Sequence, residues 1–388
     1  MNTKTQELFY KNQKMAEFEA TVLNCQKSGE FHEIYLDKTA FYPEGGGQPG
    51  DTGFLNNIEI IDTIIKSGDI AHISKEAISE NTPILGKIDF KRRFRFMQSH
   101  AGEHMLSGAL NKLYDCDNVG FHIGSDFVTI DINQKLTEEQ IKEAEMLANR
   151  AIYKNLPINI SYHSFEELKN IKYRSKKELD GEIRIVTIPD IDTCACCGIH
   201  CTTTGEVGMV KIITSQSYKG GTRIFFLCGE DALNDYTAKN NDIYRISVAL
   251  SVKPTEAGEA LVKLKDDLNN TKYELALAKE EILKLKSERF EENSNIVFEF
   301  EENLSTTEIS KYALLLSAKC NIAFVFSKDS EDTYRYAISS TSQDVREICK
   351  ELNSSLNGKG GGKKELAQGS VSVTREKIEE WRKFYEKR

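Results

Sequence analysis

No run of about 18 apolar residues occurs in this 388-residue sequence, so no membrane-spanning helix and no membrane partner are expected. The opening residues, Met1 to Glu7, lack the apolar stretch of a secretory signal. Positive charge is not in excess: 51 Lys and Arg against 60 Asp and Glu leave a formal net charge of −9. A global nucleic-acid footprint is therefore missing, and any such binding needs local basic patches. Lys91-Arg92-Arg93 with Arg95, Lys172 through Lys177, and Lys363-Lys364 are the candidates, each equally readable as a solvated face. The 9 cysteines are odd in number and clustered. That argues against a secreted disulfide framework and for a reducing cytoplasm. The chain is too long for one core, so two to three domains are expected.

What is present is chemistry with metal-ligand spacing. His100 and His104 lie four apart in a segment with helical pattern, so both imidazoles share one face and can reach one ion. Cys194, Cys196, Cys197, His200 and Cys201 crowd a second segment. Imidazole and thiolate together suit zinc. Other readings are histidines hydrogen-bonded at the edge of a core, a Cys194–Cys197 redox pair, and inert buried thiols. The density of the cluster outside a disulfide framework favours one shared metal site.

The fold class expected is α+β. A β-rich, barrel-like N-terminal domain, residues 1–89, contains Thr39 to Gly53 with three consecutive glycines at 45–47. Those glycines free the backbone for positive φ and for close approach to a ligand or another segment. No helix-initiating pattern follows, which excludes a P-loop or a Rossmann turn. An α+β zinc-containing domain, 90–240, carries the metal motifs and an amphipathic helix from Thr137 to Asn155. A helical, coiled-coil-like linker, 241–292, is predicted as one long helix between Pro254 and Phe290. Its seam of Leu261, Leu264, Leu268, Thr271, Leu275, Ala278, Ile282 and Leu285 has heptad spacing. A C-terminal α/β domain, 293–388, ends with Gly358-Lys359-Gly360-Gly361-Gly362-Lys363-Lys364. That run reads either as a flexible loop or as backbone N–H groups and lysines offered to a phosphate.

Taken in order, Thr39–Gly53, Ser99–His104, Cys196–Cys201 with Thr204–Gly208, and Arg223–Phe226 with Cys228-Gly229 resemble the editing domain of alanyl-tRNA synthetases and the free-standing AlaX editing proteins. The C-terminal glycine run resembles the domain appended to the synthetase and to the long form of AlaX, a domain shared with DHH-type phosphoesterases. The likeness covers nearly the whole chain and leaves no room for the synthetase's aminoacylation domain. It implies a trans-editing hydrolase that removes serine or glycine from mischarged alanine tRNA by zinc-dependent ester hydrolysis. It also implies one zinc ion on His100, His104, Cys196 and His200, with Cys197 a possible competitor. Thr39 and Gln48 are the residues expected to make the polar contacts that select the substrate. Glu103, between the two histidines, is expected to turn outward. Lys363, Lys364, Gly361 and Gly362 are expected to contact tRNA, and the linker or the C-terminal domain to support a homodimer. The alternatives are a non-catalytic tRNA-binding protein with a structural zinc, and a phosphoesterase related through the C-terminal domain, for which the aspartate-rich motifs are missing.

Overall fold

The computed structural model describes residues 4–175, 182–291, 294–330 and 332–387. The architecture is mixed α+β, and the chain divides into two compact units, Met1–Arg245 and Ile246–Arg388.

In the first unit, the sequence up to residue 88 forms a seven-stranded sheet. Its order is Ile58–Ile60, Gly53–Leu55, Pro83–Ile88, Glu17–Ser28, Phe31–Leu36, Asp69–Ser74, Asp62–Lys66. Alternation decides which face is buried: along Pro83–Ile88 the residues alternate strictly between exposed and buried. Val22, Ile34, Leu36, Phe41, Leu55 and Ile60 belong to the sheet's buried apolar core. The two outermost strands are joined by the single residue Ile61, so the sheet must curl. No ladder joins those two strands to each other among the described residues, so the barrel-like shape expected here is a curled sheet.

The helix Phe90–Tyr114 follows, capped by the Asp89 side chain on the Arg92 N–H. Every residue of it from Ser99 to Leu110 is buried. It shares a core with the helix Glu138–Lys154 and with the antiparallel sheet Asn118–Ile123, Val128–Ile132, Gly221–Cys228, Val210–Tyr218. Glu138–Lys154 starts with a capping box between Thr137 and Gln140 and ends at Asn155 in the left-handed region. Such a cap contributes about 1 kcal/mol. A third sheet of Asn159–His163, Ile183–Ile188 and Asp192–Ala195 is antiparallel throughout.

The basic run at the start of the long helix is not a free patch. Arg93 is fully buried and ion-paired with Asp51. Arg92 donates to the Gly50 carbonyl, Arg95 pairs with Asp231, and Lys91 pairs with Glu230. Of the second run, Arg174 is ion-paired with Asp192, and Lys176 and Lys177 lie outside the described residues.

Gly229–Leu250 is one helix and Ala257–Ser287 the next, the latter being the single helix expected between Pro254 and Phe290. Ser251 in the left-handed region ends the first, and a 3₁₀ turn, Pro254–Glu256, opens the second. The seam residues Leu261, Leu264, Leu268, Leu275, Ile282 and Leu285 are all exposed. Ala257 at the start of that helix is buried, and at its C-terminal end Leu283 packs in one cluster with Tyr312 and Leu316.

The remainder of the second unit is a five-stranded sheet in the order Ser294–Glu302, Cys320–Ser330, Thr333–Ser339, Leu366–Val371, Gly358–Gly362. The first pair is parallel because the helix Thr306–Ser317 crosses between them; every other pair is antiparallel. The glycine run is therefore not a loop but the edge strand of this sheet. Gly361, Gly362, Lys363 and Lys364 are all exposed there.

Candidate metal centre

His100 and His104 stand on one face of the long helix, as their spacing requires, and both are buried. The opposing residues come from the strand pair Ile183–Ile188 and Asp192–Ala195. Its ladder runs on by one step, the Cys196 N–H donating to the Arg184 carbonyl. That register delivers Cys196 to the histidines, and His200 follows on the loop. The donor atoms of His100, His104, Cys196 and His200 all lie within 4.8 Å of one another. Cys196 Sγ is 3.4 Å from His100 Nε2 and 3.5 Å from His200 Nε2. These are the separations of adjacent donors around a single tetrahedral metal, roughly 3.5 Å for one sulfur and one nitrogen ligand.

The second nitrogens show which atoms are left for an ion. His100 Nδ1 is 3.0 Å from Gln48 Oε1, and His104 Nδ1 is 2.8 Å from Asp192 Oδ2. Amide and carboxylate oxygens accept, so both Nδ1 atoms carry a proton and the Nε2 atoms are the positions left for an ion, which at His104 would displace a second proton. His104 Nε2 is buried with no hydrogen-bond partner. A buried ring nitrogen without a partner, grouped with a thiol and two imidazoles, fits a metal ligand.

Asp192 is itself held. Arg174 donates from Nε to Oδ1 at 2.8 Å and from Nη2 to Oδ2 at 2.9 Å. Burial works against an imidazolium at His104, but the Asp192 carboxylate outweighs it, and the pKa stands well above that of an ordinary histidine. Burial also works against a thiolate at Cys196, yet the His100 and His200 imidazoles hold its pKa well below the usual thiol range. The Gly198 N–H, 3.3 Å from Cys196 Sγ, is a further donor to the sulfur. Burial pushes His200 down to about 3. The cluster thus combines thiolate character at sulfur with an acidic partner behind one imidazole.

Gln48 reaches His100 from the end of a tight turn, Gly45–Gln48, in which Gly46 and Gly47 have φ of +61° and +87°. Two left-handed central residues make this the I′ kind of hairpin turn. A side chain on Gly47 would meet the Phe121 carbonyl oxygen at 2.5 Å, so the close approach expected of the glycine run is made to a neighbouring strand. The loop is anchored by Asp51, which pairs with Arg93, two helical turns before His100 on the same helix. Gln48 Nε2 is buried and has no partner.

Thr39 is also buried, 2.8 Å from His72 Nε2. His72 Nδ1 faces the Ile34 carbonyl and must carry the ring proton, so Nε2 accepts and the Thr39 hydroxyl donates. Its oxygen in turn accepts the Phe41 N–H. The one proton Thr39 can offer is therefore committed to His72. Glu103 does not turn outward; it is buried and accepts a hydrogen bond from Asn118. Cys197 is exposed and is outside the four-residue cluster, as is the buried Cys201. Cys194 joins His104 and Asp192 in an adjoining group instead.

Several residues of the site were not evident in the sequence. Asp192 and Arg174 back His104. Gln13 accepts the His200 N–H, and the Tyr10 hydroxyl donates to the Cys197 carbonyl at 2.7 Å. Arg184 Nη1 donates to the Cys196 carbonyl at 2.6 Å. A cleft of about 1190 Å³ lies beside Asp192 and Cys194, walled also by Lys112, Tyr114, Lys172 and Arg174; none of the four clustered residues lines it.

Comparison with known proteins agrees with this geometry. Residues 183–225 match the model for the threonyl and alanyl tRNA synthetase second additional domain, and residues 293–388 match the DHHA1 domain. The alanyl-tRNA editing protein AlaX-L of Pyrococcus horikoshii is 32% identical, over 96% of this chain and 96% of its own. The chain belongs to the AlaX-L family. The alanine–tRNA ligase of Pyrococcus abyssi is 31% identical over 97% of this chain, which spans 43% of that enzyme. The ligase of Archaeoglobus fulgidus is 29% identical over 95% of this chain, which spans 42% of it. Within this AlaX-L family chain, the matched span 183–225 contains Cys196 and His200. The other two members of the cluster come from the helix before it.

Proposed function

We propose that this protein is a trans-editing hydrolase that cleaves the ester joining serine or glycine to alanine tRNA. The observation that carries the reading is the cluster of His100, His104, Cys196 and His200 with a buried, unpartnered amide donor, Gln48 Nε2, beside it. The set of one thiolate and three imidazoles fits one zinc ion, whose bound form supplies Lewis acidity. Gln48 fixes the His100 ring through Oε1 and keeps Nε2 for the substrate. An amide that hydrogen-bonds the serine hydroxyl discriminates against alanine far better than shape does, because alanine leaves the buried donor unpaired. Thr39, its proton given to His72, retains one acceptor lone pair and supports the wall on which that contact is built. An aminoacyl ester is already activated, so orientation and one polarising charge suffice for its hydrolysis.

In this reading residues 1–89 and 90–240 form the editing body, and 293–388 holds the tRNA through Lys363, Lys364 and the exposed backbone of Gly361 and Gly362. The exposed leucines of Ala257–Ser287 form the contact of a homodimer, which sedimentation of the purified protein tests.

The test is release of labelled serine from alanine tRNA charged with serine, beside correctly charged alanyl-tRNA, before and after chelation. Fast, chelator-sensitive loss of serine with alanine spared supports editing. No hydrolysis of either ester by folded, metal-loaded protein overturns it. Four protein donors also favour a second reading, because a closed tetrahedron is characteristic of structural zinc. In that case chelation unfolds the protein rather than silencing a folded one.

A further inference from the structure

Arg184 is a buried cation whose guanidinium is only partly hydrogen-bonded. The residue is 6% exposed, and it lies on the strand Ile183–Ile188, directly opposite Cys196. Nη1 is occupied by the Cys196 carbonyl, but Nε and Nη2 are buried with no hydrogen-bond partner. Among the described residues no carboxylate is ion-paired with it. Nε and Nη2 form one edge of the guanidinium, the fork that matches the two oxygens of a carboxylate or phosphate. The same molecule shows that edge in use twice: Arg174 grips Asp192 with it, and Arg223 grips Asp131 with it at 2.6 and 2.7 Å. In Arg184 the fork is formed, buried and empty. The Tyr10 ring, 5.2 Å from the guanidinium carbon, covers it. A ring face offsets part of the charge but supplies no acceptor for the two N–H groups.

We propose that the Nε–Nη2 edge of Arg184 binds an oxyanion of the substrate, the phosphodiester that links the terminal adenosine to the nucleotide before it. The proposal rests on the editing reading above. An esterified amino acid carries an ammonium group and no carboxylate, so that phosphate, one ribose away from the ester, is the nearest fixed negative charge. Arg184 is bonded to the backbone of Cys196, which ties the position of the phosphate to the position of the metal cluster. Tyr10 moves aside when the phosphate enters. The same fork also suits the carboxylate of the released amino acid, so bidentate oxyanion binding is the shared chemistry and two arms separate the sources.

The experiment compares two minimal substrates on the full, metal-loaded chain: the seryl ester of adenosine, and the seryl ester of adenosine 5′-monophosphate. The quantity read is the ratio of their kcat/KM values, from which any general loss of activity cancels. In the wild type the phosphate is expected to raise kcat/KM roughly ten- to a hundredfold, the worth of a charge-assisted hydrogen-bonded contact. In R184K and R184Q the ratio is expected to fall close to one with metal content unchanged. If instead the ratio survives and inhibition by free serine weakens at least tenfold, the oxyanion is the product carboxylate. If neither the ratio nor the inhibition changes, or if metal content falls in step with activity on both esters, Arg184 is a structural brace and the proposal is overturned. Metal-loaded wild type that hydrolyses neither ester removes the editing reading and this proposal together. Hydrolysis whose ratio ignores Arg184 removes this proposal alone.

Discussion

Replacing Gly198 with alanine adds one methyl group and is expected to dismantle the metal cluster. A Cβ at this position would lie 2.0 Å from His100 Cε1 and 2.4 Å from His100 Nδ1. Ordinary carbon contacts begin near 3.5 Å, so ring and loop must separate by roughly 1.5 Å. Gly198 is not among the glycines with positive φ, so the backbone itself tolerates alanine and the effect is steric. Neither side can yield without moving a donor. The ring is fixed by Gln48 and the helix; the loop is fixed by Tyr10 on Cys197, Gln13 on His200 and Arg184 on Cys196. Metal–ligand distances tolerate only about 0.2 Å. Loss of one well-placed ligand should therefore weaken zinc binding by at least the ten- to hundredfold that loss of an orienting partner costs. The assay is zinc competition against a chromogenic chelator, with circular dichroism to establish that G198A is folded. A folded G198A that binds zinc as tightly as wild type would refute the assignment of His100 and Cys196 to one ion.

Three further outcomes are expected. D192N removes the acceptor of His104 and leaves Arg174 without its counter-charge in a buried setting. It should lower stability by about 3–5 kcal/mol and zinc affinity about 10–100-fold, read by denaturant unfolding and the same chelator competition; unaltered affinity would show that His104 needs no carboxylate behind it. Burial pushes His72 down to about 4 from 6.5, so between those values the unfolded chain binds a proton that the native one does not. Stability should therefore fall as pH drops through that window, by about 3 kcal/mol in all, and H72Q should flatten the dependence; equal slopes for both proteins in urea midpoints from pH 7 to 4 would contradict it. Substituting both Lys363 and Lys364 with alanine should weaken tRNA binding and reduce the salt dependence of log K by about two; an unchanged slope would place the tRNA contacts elsewhere.

The parts of this site that were legible in the sequence are those that local geometry determines. His100 and His104 share a face because a helix turns every 3.6 residues, and Cys196 and His200 are close because four residues cannot carry them far apart. The cap at Thr137 and the strand Ile183–Ile188 are local in the same sense. The errors occurred where a partner distant in sequence decides a residue's state. Arg93 looks like one member of a basic run until Asp51, 42 residues earlier, buries it in an ion pair. The Gly358–Gly362 run looks like a loop because glycine disfavours strands, yet Leu366–Val371 offers it a full ladder at the sheet edge. The helix read from the heptad seam between Pro254 and Phe290 is local again, and it is present as Ala257–Ser287.

The same reasoning explains why the orienting contacts were out of sight, although Gln48 itself was expected at the site. Gln48 stands 52 residues from His100 and Asp192 stands 88 from His104. No periodicity relates such pairs; only the anchored turn at Gly45–Gln48 and the register of the Ile183–Ile188 and Asp192–Ala195 strands bring them into contact. A cluster whose ligands and orienting groups come from a turn, a helix and a strand pair exists only when all three are in place. Metal affinity is therefore a readout of how the whole first unit is assembled, and a substitution as remote as one at Asp51 should register there through Arg93 and the position of Gln48.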